Sequence, residues 1–382
     1  MNLRRHIVAL AAEIGPRPAA SAAEAAAAAY VVRRLAESGL AAREERFRSV
    51  ATFSWSQVAI YAGAVLAFTL SWVVPWSGPV LGSVIFLMFV GEIDTTRPVV
   101  SDLLAKGESR NVLGCVAPRR ERAGLVVVSA HLDSARSAAA FAPARVGLFR
   151  ATFLGAAFSL LFLPVVAGAA LIVPAARLLG LPFALYLLVA IFLLLQRELA
   201  YRVVPGANDN ASGVAVLLGV GEELARNPLE KLEVWLLATG SEEAGLVGML
   251  HFRRDHAREL DGACFINLDN LGRGELCWTT AEGMLFPRPT GERLRRAAAA
   301  AAGELGIAAR GRPYLTMSTD AQVPLAAGSE EAMSLIALDP RGIPPDWHWE
   351  TDVPERVDDR NLEDARRLAM GILRRLDRDP NR

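Results

Sequence analysis

Residues 124–134 read GLVVVSAHLDS: a short run of apolar, largely β-branched positions that passes straight into His-Leu-Asp. A run this continuous, with no polar alternation, is the pattern of a strand buried on both faces, as in a parallel sheet. Three further runs share that character: LEVWLLAT (232–239), ACFINLD (263–269) and MSLIALD (333–339). Helical stretches fit between them at 211–226, 245–255 and 291–305. The alternation predicts an α/β fold, a doubly wound and mostly parallel sheet with helices on both faces. An Ala-rich amphipathic helix closed by Gly39, then a short strand around Glu44–Phe47, precede this part of the chain.

Composition adds a second component. Among 382 residues the 41 basic and 41 acidic side chains cancel, which removes any electrostatic reason to expect a nucleic-acid partner. Yet 52% of residues are hydrophobic and the mean hydropathy is +0.28, too apolar for an ordinary soluble domain. The excess is localised: no Asp, Glu, Lys or Arg occurs over 50–91, 151–176 or 178–196. The first block breaks at PWSGP (75–79) into 53–74 and 80–91. The second breaks at Pro174–Pro182 into 151–173 and 181–196. Such stretches suit spans of a ~30 Å hydrocarbon layer. Trp72, Trp76 and Tyr186 lie near their edges, as interface aromatics do. Two inserted transmembrane helical hairpins, 50–95 and 151–196, would then divide one domain into parts 1–49, 96–150 and 197–382. Apart from Arg177 at the central break, no ionisable group lies inside a span, so the helices read as anchors rather than a transport path. Cys115, Cys264 and Cys277 are odd in number and lack a CxxC, which excludes a disulfide framework and a four-cysteine zinc site. At the N-terminus, MNLRRHIVALAAEIGPRP has an apolar run interrupted by Glu13, which is not the form of a secretory signal.

The strands end in a distinctive series of side chains. His131-Leu132-Asp133 follows the first run, and GANDNASG (206–213) precedes the helix at 211. Glu242-Glu243 follow LEVWLLAT, Asp269 closes ACFINLD, and WHWETD (347–352) comes after the last run. Open α/β sheets place their sites at these carboxyl ends. Each element alone has a plain reading: a satisfied polar histidine, an acidic first turn of a helix, or an N-cap at Asp209. All five in order at strand ends point instead to a metal site of nitrogen and oxygen donors, catalytic rather than structural because no thiolate takes part. Two imidazoles and three carboxylates exceed the needs of one zinc and suit a pair ~3.5–4 Å apart that share a bridging carboxylate.

With those residues in place, SAHLDS, GANDNASGVA, SEEAGLVG, INLDNLG and WHWETDVPERVD together resemble the five motifs of the two-zinc (co-catalytic) aminopeptidases. That family also contains glutamate carboxypeptidases, glutaminyl cyclases and transferrin-receptor-like domains. The resemblance covers most of 1–49, 107–140 and 200–376, and implies the zinc exopeptidase fold with two Zn2+ per chain. It implies that His131, Asp209 and Asp269 bind one zinc and that Asp209, Glu243 and His348 bind the other. Asp209 would bridge, Glu242 would be the general base acting on a zinc-bridging water, and Asp133 would orient His131. Spacing alone does not decide between Glu242 and Glu243 for these roles. Two positions depart from the family's pattern. Trp347 stands where its aminopeptidases usually carry Tyr, as in glutaminyl cyclases, and Ser318-Thr319-Asp320-Ala321 replaces a Ser-Asp-His sequence.

The expected function is a membrane-anchored zinc aminopeptidase acting on peptide substrates. A glutaminyl cyclase-type aminoacyltransferase and an inactive membrane scaffold are the alternatives. The second insertion separates His131 from Asp209, so both of its ends must return to one side of the bilayer. The same holds for the first insertion, and four spans follow. Arg48, Arg97, Lys106, Arg145, Arg150, Arg197 and Arg202 flank the spans on the domain side, against Arg177 alone on the far side, which puts the domain in the cytoplasm.

Overall fold

The computed structural model describes residues 2–94, 98–328 and 331–379. Residues 95–97, with the flanking Arg97 and the expected boundary at 95, lie outside the described residues. The chain separates into two units. Unit 1 comprises Met1–Ala51, Lys106–Ser137 and Val203–Arg382; unit 2 comprises Thr52–Ala105 and Ala138–Arg202.

Unit 1 contains the strands β1 (Ala42–Ser49), β2 (Gly107–Val116), β3 (Gly124–His131), β4 (Leu232–Thr239), β5 (Cys264–Asp269), β6 (Glu275–Glu282), β7 (Arg288–Pro289), β8 (Arg310–Tyr314) and β9 (Glu331–Leu338). They form one sheet of order β1-β2-β4-β3-β5-β9-β6-β7, with β8 paired to β6. The four continuous apolar runs are its centre, β4-β3-β5-β9, and these neighbours are all parallel. The margins differ from the expectation of a mostly parallel sheet. β2 is antiparallel to both β1 and β4, and β6 is antiparallel to both β9 and β7, so the sheet is mixed. The connection explains β6: only residues 270–274 separate it from β5, and a parallel crossover needs a dozen residues or more.

Both faces of the centre are covered, which is why its strands lack polar alternation. Val126 and Val128 of β3 point into a core with Val31, Val216, Leu294 and Leu368 from helices Ala22–Glu37, Ser212–Arg226, Glu292–Leu305 and Asp359–Arg378. Leu125 and Val127 point the other way, toward Met249, Phe252 and Val323 from helices Val247–Asp255 and Gln322–Ala327. Each such fully buried aliphatic side chain contributes ~1.5–3 kcal/mol. After β3 the chain moves to β4 on one side, then crosses to β5 on the other. The strand order therefore reverses at β3, and the crevice such a reversal leaves lies at the carboxyl end where His131 stands.

Unit 2 holds the helices Ser54–Leu70, Ser77–Ile93, Phe149–Ala169 and Leu181–Ala200, with a short helix Val99–Leu103. Two stretches, Val146–Ala169 (24 residues) and Pro174–Ala200 (27 residues), are long and apolar enough to cross a membrane. The other two helices have 17 residues each, so they rise ~26 Å and fall short of a ~30 Å hydrocarbon layer. Small residues let the helices approach: a Cβ on Gly78 would lie 2.4 Å from Ala167 Cβ, and one on Gly82 would lie 3.0 Å from Pro164 Cβ. The inside of the bundle is apolar, with Ile60, Phe68, Leu160 and Leu163 buried, and so is its outside, where Leu66, Leu87 and Phe192 are at least 64% exposed. At one end Arg197 Nη1 donates to Thr52 Oγ1 (3.0 Å) and Ser54 Oγ (2.9 Å) and pairs with Glu198 at 2.7 Å.

In unit 1 the helix that follows Glu243 begins against the end of β4 at unusually close range. A Cβ on Gly248 would lie 2.2 Å from Gly240 O and 2.6 Å from Asn111 Oδ1. Overpacking of this kind costs ~1–3 kcal/mol. Gly248→Ala is therefore expected to lower the unfolding midpoint of the purified chain, and an unchanged midpoint would show that this approach is not close.

Candidate metal centre

The five motifs converge where β3, β4 and β5 end. His131 is the last residue of β3 and Asp269 the last of β5, while Glu242 and Glu243 lie three and four residues beyond Thr239, the end of β4. Asp209 occupies the irregular segment that leads into helix Ser212–Arg226, and His348 a loop beyond β9, where it adopts φ 53°. His131, Asp209, Asp269 and His348 are all buried to within a few per cent, and Glu242 is 9% exposed.

Asp209 lies at the centre. Its Oδ1 is 3.1 Å from His131 Nε2 and its Oδ2 is 3.1 Å from His348 Nε2. On the first side Asp269 Oδ1 stands 3.7 Å from His131 Nε2, and on the second Glu243 Oε1 stands 3.2 Å from His348 Nε2. His131, Asp209 and Asp269 thus bring donor atoms within 4.8 Å of one another, and so do Asp209, Glu243 and His348. A third grouping, His131 with Glu242 and Glu243, meets the same limit, while Glu242 Oε2 is 4.0 Å from His131 Nε2.

Asp133 faces His131 Nδ1 with both its side chain and its backbone. Its carboxylate is 3.6 Å from His131 Nδ1, whereas its backbone carbonyl is nearer, at 3.2 Å. The carboxylate also accepts from two successive backbone amides, Glu242 N and Glu243 N, both at 3.0 Å. It therefore aims the loop that carries both glutamates.

Three positioning groups outside the expected set do similar work. Asp352 accepts from Asn208 N (2.5 Å) and Asp209 N (3.0 Å). Glu24, buried in helix Ala22–Glu37, accepts from Ser241 N at 2.7 Å and Ser109 Oγ at 2.9 Å. Arg17 touches the segments on either side of the centre. Asp352 stands inside the WHWETD motif, where its sequence position was a usable signal. Glu24 and Arg17 are far away in sequence and carried none. Trp347 is buried, and its ring lies 4.4 Å from that of His348 at 37°. Asp320, also buried, accepts from Thr239 Oγ1 at 2.5 Å.

The donor chemistry fits divalent metal ions. Asp209, Glu242, Glu243 and Asp269 bring four carboxylates into one buried space, and among the described residues none pairs with Lys or Arg. Glu243 Oε1 is buried without a hydrogen bond although His348 Nε2 is near, so the two atoms address a common point rather than each other. Electrostatics without metal shows the same strain. Burial pushes Glu242 well above the ordinary carboxylate range and raises Glu243. Burial works against protonated His131, yet Glu242, Asp133, Asp209 and Asp269 raise it well above its usual value. Burial also opposes protonated His348, but Glu243 and Asp209 bring it up to about 9. Asp209 is held below its ordinary range, against burial, by the two imidazoles.

Comparisons with known proteins find likenesses of sequence and of fold. The sequence profile of peptidase family M28 matches residues 197–373. Aminopeptidase YwaD of Bacillus subtilis is 41% identical over 71 residues, which span 18% of this chain and only 15% of that relative. Among solved structures, the zinc aminopeptidase BSAP of Bacillus subtilis superposes with a TM-score of 0.58 at 17% identity, covering 97% of this chain and 93% of that one. A Bacteroides thetaiotaomicron glutaminyl cyclase gives 0.57 at 15% identity, with 98% and 96% covered. An aminopeptidase from Aneurinibacillus gives 0.59 at 14%, with 97% and 92% covered. At these identities the structural likeness is one of fold.

The protonated histidines imply a pH dependence for the metal-free protein. His348 is raised from 6.5 to about 9, so its contribution is complete below 6.5 and is lost as pH rises through 9. Burial raises Asp352 and Asp320 to about 7 and Glu24 to about 8; each binds its proton more tightly when folded, which gives the same sign at lower pH. With metal chelated, the melting temperature should fall as pH increases from 6.5 to 9, and zinc should flatten the profile. A metal-free melting temperature that is constant or rising over that window would contradict this account.

Proposed function

We propose that this chain is a membrane-anchored zinc aminopeptidase, because residues 197–373 match the sequence profile of peptidase family M28 and unit 1 gathers two donor sets around one carboxylate. The observation that carries the reading is Asp209, whose two oxygens each lie 3.1 Å from a different histidine. His131, Asp209 and Asp269 would hold one zinc and Asp209, Glu243 and His348 the other. When bound, such a pair supplies Lewis acidity, which lowers the pKa of water and polarises a carbonyl.

The chain's own residues supply the rest. Glu242 belongs to neither of the two sets around Asp209 and stands at their edge, with the slight exposure that a group meeting substrate requires. It acts as the general base, taking a proton from the attacking water and returning it to the leaving amine. Asp133 fixes the amides of residues 242 and 243, so base and ligand keep their relative orientation. Peptides with a free N-terminus are the proposed substrates.

Unit 2 is the proposed anchor. The apolar outer faces of its helices are what a lipid environment accepts and water does not. We read its helices as two hairpins with four spans, the shorter pair matching a locally thinned bilayer. We read the Lys and Arg residues that flank the apolar blocks as favouring a cytoplasmic position for unit 1.

One observation favours a second reading. Trp347, buried on His348, occupies the position where the resemblance expects an aminopeptidase tyrosine, and a glutaminyl cyclase is among the similar folds. An N-terminal Gln peptide distinguishes the two, because cyclisation releases ammonia and hydrolysis releases a free amino acid.

Glu242→Gln is expected to lower kcat on aminoacyl amides by ~10²–10⁴-fold while zinc content stays at the wild-type level. Full activity with normal zinc would remove Glu242 from the role of base. Chelation should abolish turnover and zinc should restore it; activity that survives complete chelation would overturn the metallopeptidase reading.

A further inference from the structure

Arg17 belongs to none of the strand-end motifs, yet it is wholly buried and its guanidinium lies between two of them. Nε donates to Leu132 O at 2.8 Å. Nη1 donates to Leu10 O (2.8 Å), Gly15 O (2.9 Å) and Pro205 O (2.8 Å), and Nη2 to Gly206 O (3.0 Å). The backbone joins the same knot: Arg17 N donates to Ser134 Oγ and Ser134 N to Arg17 O, both at 2.9 Å. Ser134 Oγ in turn donates to Val204 O at 2.9 Å. Leu132 is the residue after His131, and Gly206 lies three residues before Asp209. Gly206 adopts φ +64°, and a Cβ there would lie 2.6 Å from Ser134 Cβ and 3.1 Å from Arg17 Nη2, so the knot has room only for glycine.

The chain has a particular need for such a knot. His131 and Asp209 are separated in sequence by the whole of Ala138–Arg202, which belongs to unit 2. Covalent connection therefore does little to fix one ligand against the other. The two flanking segments are held together within unit 1 by the Arg136–Val203 bridge, by Val204 N donating to Ala135 O at 2.9 Å, and by Arg17. The Arg17 guanidinium also ties these segments to the N-terminal segment, at Leu10 and Gly15.

We propose that Arg17 is a positioning residue of the metal centre: its guanidinium holds the segment bearing His131 in register with the segment bearing Asp209, across the inserted unit. This rests on the two-metal reading above. A planar fork of five N–H donors meets backbone carbonyls in three segments, a geometry that the single ammonium of lysine does not reproduce. The set His131, Asp209 and Asp269 has two members on held segments, whereas Asp209, Glu243 and His348 has one. Loss of Arg17 therefore weakens the first set more than the second.

The test compares full-length wild-type protein, R17K and D377N in detergent, by zinc titration against a chromophoric chelator, zinc content per chain and thermal unfolding. Asp377 is the control, because its carboxylate accepts from the amides of Glu230, Lys231 and Leu232 at the start of β4, the end away from the metal centre. Wild type should bind two zincs. R17K should keep one at wild-type strength and bind the other about 10–100-fold more weakly. D377N should lose thermal stability and keep both. If R17K does not fold, S134A, which removes two bonds of the knot and leaves the guanidinium, should show the same selective loss at smaller size. Two zincs at wild-type affinity in R17K, equal weakening of both, or the same loss in D377N would overturn the proposal. A wild-type chain that binds no zinc would instead overturn the two-metal reading, and this inference with it.

Discussion

Four carboxylates and two imidazoles share a buried space at the carboxyl end of β3, and the charge in that space constrains everything around it. Carboxylates removed from water are costly unless paired or bound to a metal. Among the described residues no Lys or Arg pairs with these four, so the cations in direct contact with them are the histidines, both of which are raised. A site built in this way suits divalent cations better than it suits itself. Asp209, with one oxygen toward each histidine, is the hinge of that arrangement.

Holding such a site requires backbone to be fixed where the side chains repel. The chain uses one device repeatedly, a buried carboxylate that accepts from successive backbone amides. Asp133 takes the amides of residues 242 and 243, and Asp352 takes those of 208 and 209. Glu24 adds Ser241. The donor side chains are thereby aimed through their main chain, and both imidazoles face Asp209. Arg17 does the converse with carbonyl groups.

Much of this was legible in the sequence because local chemistry declares itself. The runs 124–130, 232–239, 263–269 and 333–339 are continuous since both faces of the central strands are buried, and they form β3, β4, β5 and β9. The motifs at their ends were legible as donors of suitable type in a suitable order. The antiparallel margins were not. β6 (ELCWTTAE) is partly polar, and its direction is set by connection length rather than by pattern. Arg17 and Glu24 were equally hidden, because partners 85 to 217 residues away leave no mark on the local sequence. The hydrophobic blocks were plain, but composition overstated the first, whose helices stop at 17 residues.

The account turns on Asp209 sharing its carboxylate between two metals. X-ray absorption at the zinc edge of the zinc-loaded chain tests this directly. The account predicts nitrogen and oxygen neighbours at ~2.0–2.2 Å with no sulfur, together with a zinc–zinc scattering path at ~3.5–4 Å. Zinc bound with sulfur ligands, or with no second metal at that distance when two equivalents are present, would contradict it.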